Sequence, residues 1–384
     1  MDFSLTQEQQ MLKRAARELM EKEIIPAAAE QERRGPASKE EVRRILKKLV
    51  PLGFLCGPLD EEHGGQGLNW LNWGLLLEEL GRGWAAMANT AIIQFNFAHQ
   101  IAHLGTAEQK RKYLHPALQA DAIVSHSYSE PSSGSNLARL GTTATHTKDG
   151  WILNGDKVFI SLSPVADWTL ALAGIKGGDG KDSRGVFIVD RAKSPFTVAQ
   201  STRLGLRGMP SGEVSFVDCK VPLENQLPSA GYKETLIMLT ASRLEIAAIA
   251  VGISQAATDM SIRYAKQREA FGRPIGSFQL IQGQIADMVA ETQAARLLTY
   301  EGLDLLDKGV HVGAQASIAK FYATETAARV TTLAVTIHGG YGLQDEYPVE
   351  RYARDAITEL IPDGPPQLQR LIAGRQILGM SAFT

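Results

Sequence analysis

The order in which hydrophobic periodicity changes along the chain is the feature that most constrains its fold. Residues 1 to about 120 carry apolar side chains at helical spacing, as in the stripe from Met11 to Met20. Between about 121 and 225 the pattern becomes one of short strands separated by Gly, Asp and Pro. From about Lys233 the helical spacing returns. This helix–strand–helix order predicts two helical lobes beside a sheet domain and argues against a doubly wound nucleotide-binding fold.

The same periodicities predict the domains and several of their elements. We expect an α+β protein with an N-terminal α-helical domain at 1–120, a central β domain at 121–229 and a C-terminal helical domain at 230–384. The first helix should be capped by Thr6 and end at Pro26, because proline breaks a helix interior. Further elements are predicted as helices at 38–49, 72–80 and 84–104, and as strands at 142–147, 151–153, 169–173, 186–189 and 213–217.

Charge balance and ligand spacing argue against some classes of partner. The 384 residues include 40 Lys and Arg against 42 Asp and Glu, which gives a net charge of −2. Proteins that bind nucleic acid or anionic membranes have an excess of basic residues, so neither partner is expected. His99 and His103 have the spacing of helical metal ligands, but Gln100 stands where the H-E-x-x-H motif has Glu. We therefore expect no metal site.

The N-terminus and the cysteines bear on the compartment. The segment from Met1 to Leu5 has neither the basic nor the apolar region of a secretory signal. We find no apolar run near the roughly 20 residues that span a bilayer. Cys56 and Cys219 are too few for a disulfide scaffold or a structural zinc site. These features predict a soluble, cytoplasmic protein without a membrane span.

Four local strings resemble signatures of the acyl-CoA dehydrogenase family and occur in that family's order. They are Y-S-E-P-S-S-G-S-N at 128–136, L-N-G-D-K-V-F-I-S at 153–161, R-E-A-F-G-R-P-I at 268–275 and H-G-G-Y-G at 338–342. The resemblance extends over essentially the whole chain. It implies that family's fold, with a central antiparallel β-barrel-like domain and a C-terminal four-helix bundle.

Enzymes of that family hold FAD and desaturate an acyl-CoA thioester between its α and β carbons. A carboxylate removes the α proton while a hydride leaves the β carbon for flavin N5, and hydrogen bonds to the thioester oxygen stabilise the developing enolate. The resemblance therefore implies an FAD-dependent oxidoreductase with an acyl-CoA substrate. It also implies an electron-transferring flavoprotein as the electron acceptor and a homotetramer as the working form.

The first two strings contain the residues that the resemblance implies around the isoalloxazine. Tyr128 and Ser129 match the segment that donates hydrogen bonds to its polar edge, and Ser161 stands where the family has a Thr that contacts N5. Phe159 replaces a Trp beside the ring, which keeps an apolar face but loses the indole N–H. The alternative is that Phe159 and Ile160 are plain strand residues, with one of the two facing the core.

The last two strings resemble a cofactor site that is shared between subunits. Arg268 and Phe271 match residues that bind the FAD pyrophosphate and adenosine, and Arg suits a diphosphate because its planar fork makes bidentate hydrogen bonds. Gln279, Gly339 and Gly340 would come from the neighbouring chain, with the glycines allowing close backbone approach. The alternative is a solvated Arg at a helix end and glycines that only end a helix.

Two further residues match the family's contacts with the CoA thioester. Ser135 corresponds to a residue near the pantetheine and phosphate, and Arg243 corresponds to an Arg on a long helix near the acyl group. The alternative for Arg243 is a surface salt bridge with Glu245 or another carboxylate. Glu245, Glu269 and Glu301 are themselves expected on solvated helix faces.

The string I-P-D-G-P-P-Q-L-Q-R at 361–370 departs from the family where the catalytic base is expected. Gly364 and Gln367 keep their places and are expected to contact the cofactor, but Asp363 replaces the usual Glu. A second branch of the family carries its base at the position of Ser242, which supplies no carboxylate here. Asp363 is therefore the candidate base, and the alternative is that it is an ordinary helix N-cap.

The shorter side chain of Asp363 bears on the reaction. It reaches about 1.5 Å less far than Glu, and a misplacement of about 1 Å can cost roughly 100-fold in rate. The flanking prolines could move the backbone closer, the substrate could carry bulk at its α carbon, or the reaction could differ. We favour a branched or alicyclic acyl-CoA. The alternatives are a flavin oxidase or monooxygenase that uses Asp as its base, and a non-catalytic paralogue that acts as a binding module.

Overall fold

The N-terminal part of the chain is a set of helices packed on one long helix. The structure is a computed structural model that describes residues 4–135, 140–177, 184–228 and 230–381, so Asn136 of the first string lies outside the described residues. The α-helices described in this part are α1 (Gln7–Leu19), α2 (Ile25–Arg34), α3 (Lys39–Leu49), α4 (Trp70–Leu104) and α5 (Ala107–Leu118).

The first helix begins as predicted but does not end as predicted. Thr6 caps α1, since its Oγ1 accepts a hydrogen bond from Gln9 N. A π-helical turn at Met20–Ile24 then leads directly into α2, where Pro26 lies in the first turn. Proline is tolerated there because the first N–H groups of a helix have no intrahelical partner. The predicted end of the helix at Pro26 is therefore wrong.

The two helices predicted at 72–80 and 84–104 are present and meet at a kink, and the whole span is named α4. Trp84 has φ −160° and ψ 99° inside this helix. Its ring is buried, and its indole Nε1 donates a hydrogen bond to Glu32 Oε1 at 2.8 Å. The hydrogen bond to Glu32 holds Trp84 in the protein interior, and helical backbone geometry resumes after Trp84.

The middle of the chain forms a curled, mixed sheet. Its strands are β1 (Val124–Ser127), β2 (Thr143–Thr147), β3 (Gly150–Ser161), β4 (Trp168–Ile175), β5 (Arg184–Asp190), β6 (Thr197–Ser201) and β7 (Ser211–Val221). They pair in the order β1–β4–β2–β3–β7–β6, and β5 pairs with β4. β4 runs parallel to β1 and β2, whereas the other pairings are antiparallel. The predicted β domain is thus present, with two parallel pairings that the sequence did not indicate.

Strand β4 is buried on both of its faces. Leu170 and Leu172 belong to the core shared with the helices, whereas Ala171 and Ala173 belong to a second core enclosed by the sheet. Successive side chains of a strand point to opposite faces. One face of β4 therefore packs against the helical lobes, and its other face packs inside the core of the sheet.

The C-terminal part contains the expected four-helix bundle. Its described elements are α6 (Tyr232–Gln267), the hairpin strands β8 (Glu269–Ala270) and β9 (Arg273–Pro274), α7 (Gln279–Asp307), α8 (Gly313–His338), α9 (Val349–Glu359) and α10 (Pro366–Leu378). Helix α8 packs against α6, α7 and α10, and α6 also packs against α7.

Helix α6 lies between the N-terminal lobe and the rest of the bundle. By length and hydropathy Glu234–Gln267 could cross a bilayer, contrary to the expectation of no such run, but most of it is buried against α4 and α8. Burial on nearly all faces is typical of a core helix. A Cβ on Gly252 would lie 2.1 Å from the carbonyl oxygen of Glu78 in α4. The backbones of α4 and α6 are therefore in direct contact, which glycine alone permits.

Candidate active site

The turn between α9 and α10 holds Asp363 in a fixed backbone conformation. Asp363 has φ 55°, in the left-handed region that non-glycine residues rarely adopt. Lys320 Nζ of α8 donates to the carbonyl oxygens of Leu360 and Gly364, both at 2.8 Å. Gln369 Nε2 donates to the Asp363 carbonyl oxygen at 2.7 Å. Strained backbone that neighbouring groups hold in place often marks a functional site.

The side chain of Asp363 points to α6. Its Oδ2 accepts a hydrogen bond from Ser242 Oγ at 2.5 Å, and the residue is half-buried. The N-cap of α10 is Pro365, and Asp363 precedes it by two residues. The N-cap interpretation of Asp363 is therefore wrong, because its carboxylate bonds to a different helix.

Two buried cations act on Asp363. Arg243 of α6 is 7% exposed and Lys320 is 0% exposed. Burial lowers the pKa of Arg243 and lowers that of Lys320 to about 8, and in both cases attraction to Asp363 opposes the shift. The alternative of a surface salt bridge for Arg243 is wrong because its side chain is buried.

Two further buried carboxyls lie in the same cluster. Glu245 is 0% exposed, and its Oε2 accepts a hydrogen bond from Asn96 Nδ2 of α4 at 2.7 Å. Burial raises its pKa well above the usual range. Glu359 of α9 accepts from Asn89 Nδ2 at 2.5 Å, and burial raises its pKa to about 8. Asp363 is thus surrounded by cations and by carboxyls whose pKa favours the neutral form.

The prediction of solvated helix faces for three glutamates is confirmed only for Glu301, which is exposed on α7. Glu269 is exposed but lies in the strand β8 and not on a helix. Glu245 is instead enclosed between α6 and α4.

Phe159 lies on the surface of the sheet next to Ser161. It is 79% exposed and has φ 61°, at an irregularity in the pairing of β3 with β7. Of the two strand residues, Ile160 is therefore the one that faces the core, and Phe159 faces outward. Ser161 Oγ accepts a hydrogen bond from Arg203 Nη2 at 3.0 Å, and burial lowers the Arg203 pKa to about 10.

The first two strings are joined by a buried ion pair. Lys157 Nζ lies 2.7 Å from Glu130 Oε1 and also donates to the Tyr128 carbonyl oxygen at 3.2 Å. The Ser129 carbonyl oxygen accepts from Val158 N at 3.0 Å. These contacts bring the 128–129 segment against β3, directly before Phe159. The Tyr128 hydroxyl donates to Gln100 Oε1 at 2.9 Å, so this side chain has a partner within the fold.

A second group of predicted residues lies at the other end of α6. The Arg268 guanidinium lies 5.7 Å from the centroid of the Tyr341 ring. Phe271 is 95% exposed and, with Gly272, forms the turn of the β8–β9 hairpin at positive φ. The remaining members of this group, Gln279, Gly339 and Gly340, are also exposed.

Within one chain, the cluster around Asp363 and Arg243 lies far from the group around Arg268. Arg243 and Arg268 are separated by 25 residues of α6, or about 38 Å at 1.5 Å per residue. Ser135 and Gln367 are exposed. Gly364 has φ 101°, and a Cβ there would lie 2.7 Å from Gln369 Nε2, so it fits the Asp363 turn as glycine only.

The three parts of the chain match three family models. These are the N-terminal, middle and C-terminal domains of acyl-CoA dehydrogenase, at residues 6–121, 125–219 and 230–378. The chain belongs to the acyl-CoA dehydrogenase family. This confirms the predicted fold, the oxidoreductase class and FAD as the cofactor.

Individual family members cover the whole chain. A probable acyl-CoA dehydrogenase of Bacillus subtilis, YngJ, is 36% identical over 98% of this chain and 100% of its own. Subunit CarC of the caffeyl-CoA reductase-Etf complex of Acetobacterium woodii is 32% identical over 97% of this chain and 99% of its own. A glutaryl-CoA dehydrogenase of Mycobacterium smegmatis, solved in complex with FADH2, superimposes with a TM-score of 0.93 at 26% identity, covering 99% and 97% of the two chains.

The residues of this acyl-CoA dehydrogenase fit FAD in two places, at the end of β3 and just after α6. Phe159 supplies an exposed aromatic face next to the Ser161 hydroxyl and the buried charge of Arg203. Just after α6, Arg268 is an exposed cation, and a Cβ on Gly340 would meet none of the described residues within 4 Å. An apolar face suits the flavin ring, and a cation with open backbone beside it suits a diphosphate.

Glu245, Lys320 and Arg203 were not predicted as members of this site. The sequence contains a signal for the first two of them. Glu245 and Lys320 are isolated charges in helical stretches that are otherwise apolar or small on several faces. A helix that is apolar all round is buried, and a charge inside it is expected to have a special partner.

Proposed function

We propose that this enzyme desaturates a branched or alicyclic acyl-CoA and that Asp363 is the base that removes the α proton. The observation that carries the proposal is the orientation of Asp363. Its carboxylate points inward to Ser242, and its backbone is held by Lys320 and Gln369. A base must be oriented in this way because general-base catalysis depends on position before it depends on pKa.

The charges around Asp363 support its role as a proton acceptor. Ser242 holds Oδ2, which leaves Oδ1 to receive the proton from the α carbon. Arg243 and Lys320 are both attracted to the Asp363 carboxylate. FAD, when bound, accepts the hydride that leaves the β carbon, so proton and hydride together account for the two hydrogens lost from the acyl group.

The length of the base supports bulk at the α carbon of the substrate. Asp ends about 1.5 Å short of a Glu at the same position. The turn is held by Lys320 and by Gln369, which limits how far its backbone can move toward the substrate. A branch or ring at the α carbon would occupy the space of the missing methylene.

We also propose that each FAD is held by two chains of a homotetramer. The separation of about 38 Å along α6 between Arg243 and Arg268 supports this arrangement. In this proposal Tyr128, Ser129, Phe159 and Ser161 hold the isoalloxazine, while Arg268 and Phe271 hold the pyrophosphate and adenosine. A neighbouring chain contributes Gln279, Gly339 and Gly340.

The proposed electron acceptor is an electron-transferring flavoprotein. The similarity to a subunit of a caffeyl-CoA reductase-Etf complex supports it. A flavin oxidase would instead pass electrons to oxygen. The two are separated by mixing the substrate-reduced enzyme with air, since reoxidation is slow in a dehydrogenase and fast in an oxidase.

The test of the base is anaerobic bleaching of the flavin by a panel of straight, branched and alicyclic acyl-CoAs. We expect Asp363→Asn to retain FAD and to slow bleaching by roughly 10²–10⁴-fold, the usual contribution of a general base. Glu301→Gln, on an exposed helix face, is the matched carboxyl control.

Other outcomes would contradict specific parts of the proposal. Unchanged bleaching in Asp363→Asn would remove this residue from the mechanism, and a preference for straight chains would remove the proposed substrate class. Colourless protein that takes up no FAD would favour the non-catalytic paralogue.

A further inference from the structure

We infer that Glu245 is a positioning residue for the proposed base, and that its neutral carboxyl acts through the Ser242 hydroxyl to keep Asp363 as the ionised member of a carboxyl pair. The inference rests on the proposed function because it assumes that Asp363 accepts the α proton. Its physical basis is a line of buried polar groups that runs from α4 through α6 to the Asp363 turn.

The geometry of α6 places Glu245 and Ser242 on one face. They are three residues apart, which is the spacing of neighbours on a helix surface. Asn96 fixes Oε2 of Glu245 from α4, while Oε1 is buried and has no hydrogen-bond partner within the described residues. The free oxygen of Glu245 is therefore the member of this line that still lacks a partner, one helical turn from the hydroxyl that bonds Asp363.

The Ser242 hydroxyl connects the two carboxyls. It donates its hydrogen to Asp363 Oδ2, and a hydroxyl that donates can still accept. The Ser242 hydroxyl also opposes part of the rise in the pKa of Glu245. A small movement of either side chain would let a protonated Glu245 donate to Ser242 while Ser242 donates to Asp363.

The electrostatics assign different protonation states to the two acids. Burial raises the pKa of Glu245, and the negative charge of Asp363 raises it further. Two carboxyls that share a site cannot both ionise easily, so one carries the proton and the other carries the charge. Asp363 has Arg243 and Lys320 beside it, whereas Glu245 is held by a neutral amide, so the charge belongs on Asp363.

Ionisation of Glu245 would undo this arrangement. A charged Glu245 can only accept hydrogen bonds, so it would compete with Asp363 for the single hydrogen of Ser242. It would also repel the Asp363 carboxylate. We therefore expect the rate of proton abstraction to fall at the pH where Glu245 loses its proton.

Other titratable groups face the same cluster and must be separated from Glu245. These are Arg243 on α6, Lys320 on α8 and Glu359 on α9. The pKa values of Lys320 and Glu359 are both about 8, so each contributes to the alkaline pH range. Glu359 is the matched control because it is also a fully buried carboxyl held by an Asn side chain of α4.

The experiment is a double-mutant cycle read as a pH profile. The rate of anaerobic flavin reduction by the best acyl-CoA is measured against pH for the wild type, Glu245→Gln, Ser242→Ala and the double variant. We expect Glu245→Gln to move the alkaline loss of rate upward by about one pH unit or more. In the Ser242→Ala background the same substitution should have no further effect.

The control distinguishes a specific connection from general charge removal. Glu359→Gln should change the profile equally in the presence and absence of Ser242, because it has no contact through that hydroxyl. The inference is wrong if Glu245→Gln leaves the alkaline limb in place. It is also wrong if the effect of Glu245→Gln is the same in the Ser242→Ala background.

A second measurement does not depend on turnover. The infrared carbonyl band of a protonated carboxyl should be present in the wild type at neutral pH and reduced in Glu245→Gln. An unchanged band would mean that Glu245 is ionised, which would overturn the inference. If no acyl-CoA bleaches the wild type, the proposed function fails, yet the infrared result still decides the protonation state of Glu245.

Discussion

Two buried glutamates on adjoining helices, Glu78 and Glu245, have pKa values that are shifted in opposite directions. Glu78 of α4 lies 2.7 Å from Lys13 Nζ and 3.2 Å from Arg296 Nε, and it accepts a hydrogen bond from the Tyr300 hydroxyl at 2.6 Å. Its pKa is lowered to about 2 because these partners outweigh burial. Glu245 of α6 is equally buried but is held by one neutral amide, and its pKa is raised.

The comparison distinguishes Glu78, whose carboxylate stabilises the fold, from Glu245, whose carboxyl we propose to act on the catalytic base. Glu78 joins α1, α4 and α7, so its charge holds three helices together and is fully satisfied. Within the part of the chain that the structure describes, the hydrogen-bond partner of Glu245 is the neutral amide of Asn96, and Glu245 lies one helical turn from Ser242, which binds Asp363. A perturbed pKa by itself is common in ion pairs, and a raised pKa beside a second carboxyl is the pattern found in catalytic pairs.

The largest effect is expected when Glu78 loses its carboxylate. Glu78→Ala leaves the half-buried Arg296 without its anion and leaves Lys13 with Glu79 at 3.7 Å, and breaking a buried pair costs about 3–5 kcal/mol of stability. Denaturant unfolding of the variant and of Glu301→Ala, an exposed control, measures the difference. A loss below about 1 kcal/mol, typical of surface pairs, would show that the Glu78 network contributes little.

The second prediction contrasts the pH dependence of the two acids. The folded-state pKa of Glu78 is about 2 against an ordinary 4.5, so its stabilisation is present above pH 4.5 and is lost as the pH falls toward 2. The shift corresponds to about 3 kcal/mol. The stability difference between the wild type and Glu78→Gln should therefore shrink through this range. A constant difference would contradict the assignment.

The contribution of Glu245 to stability should depend on pH in the opposite direction. Its pKa is raised on folding, so its contribution is fully present below pH 4.5 and is lost as the pH rises toward its folded-state value. Relative to the wild type, Glu245→Gln should thus gain stability as the pH increases above 4.5. The melting temperatures of the two proteins across pH 4–8 measure this trend. A gain that appears only on acidification would mean that Glu245 is ionised in the folded protein.

The sequence predicted the parts of the site that depend on local order. The helix–strand–helix periodicity predicted the fold, two of the four strings led to Phe159 and Arg268, and the separate string at 361–370 led to the Asp363 turn. Phe159 itself could not be resolved from the sequence because a strand aromatic is equally compatible with a core. Its exposure depends on the irregular pairing of β3 with β7, which involves residues more than 50 positions apart.

The error at Glu245 has a different physical origin. A charge in a helical stretch predicts a solvated face, but the segment Leu244–Val251 around Glu245 has no other polar residue that could form such a face. That local signal was sufficient to predict burial. The partners of Glu245 could not be predicted, because Asn96 is 149 residues away and is brought close by the packing of α4 on α6.

The last prediction extends the comparison to a buried cation, Lys320. Its replacement should give the smallest change in stability but a large decrease in the rate of flavin reduction. Lys320→Met removes a donor from the carbonyl oxygens of Leu360 and Gly364, of which Gly364 keeps Gln369 Nε2 at 3.1 Å, and leaving a buried carbonyl without a partner costs about 1–3 kcal/mol. The apolar stem still fills the space, so the fold should persist and FAD should stay bound. Flavin reduction should nevertheless slow by roughly 100-fold, since a base displaced by about 1 Å loses that much. Unchanged reduction with lowered stability would mean that Lys320 supports the bundle alone, whereas reduced rate at full stability would assign it to the orientation of Asp363.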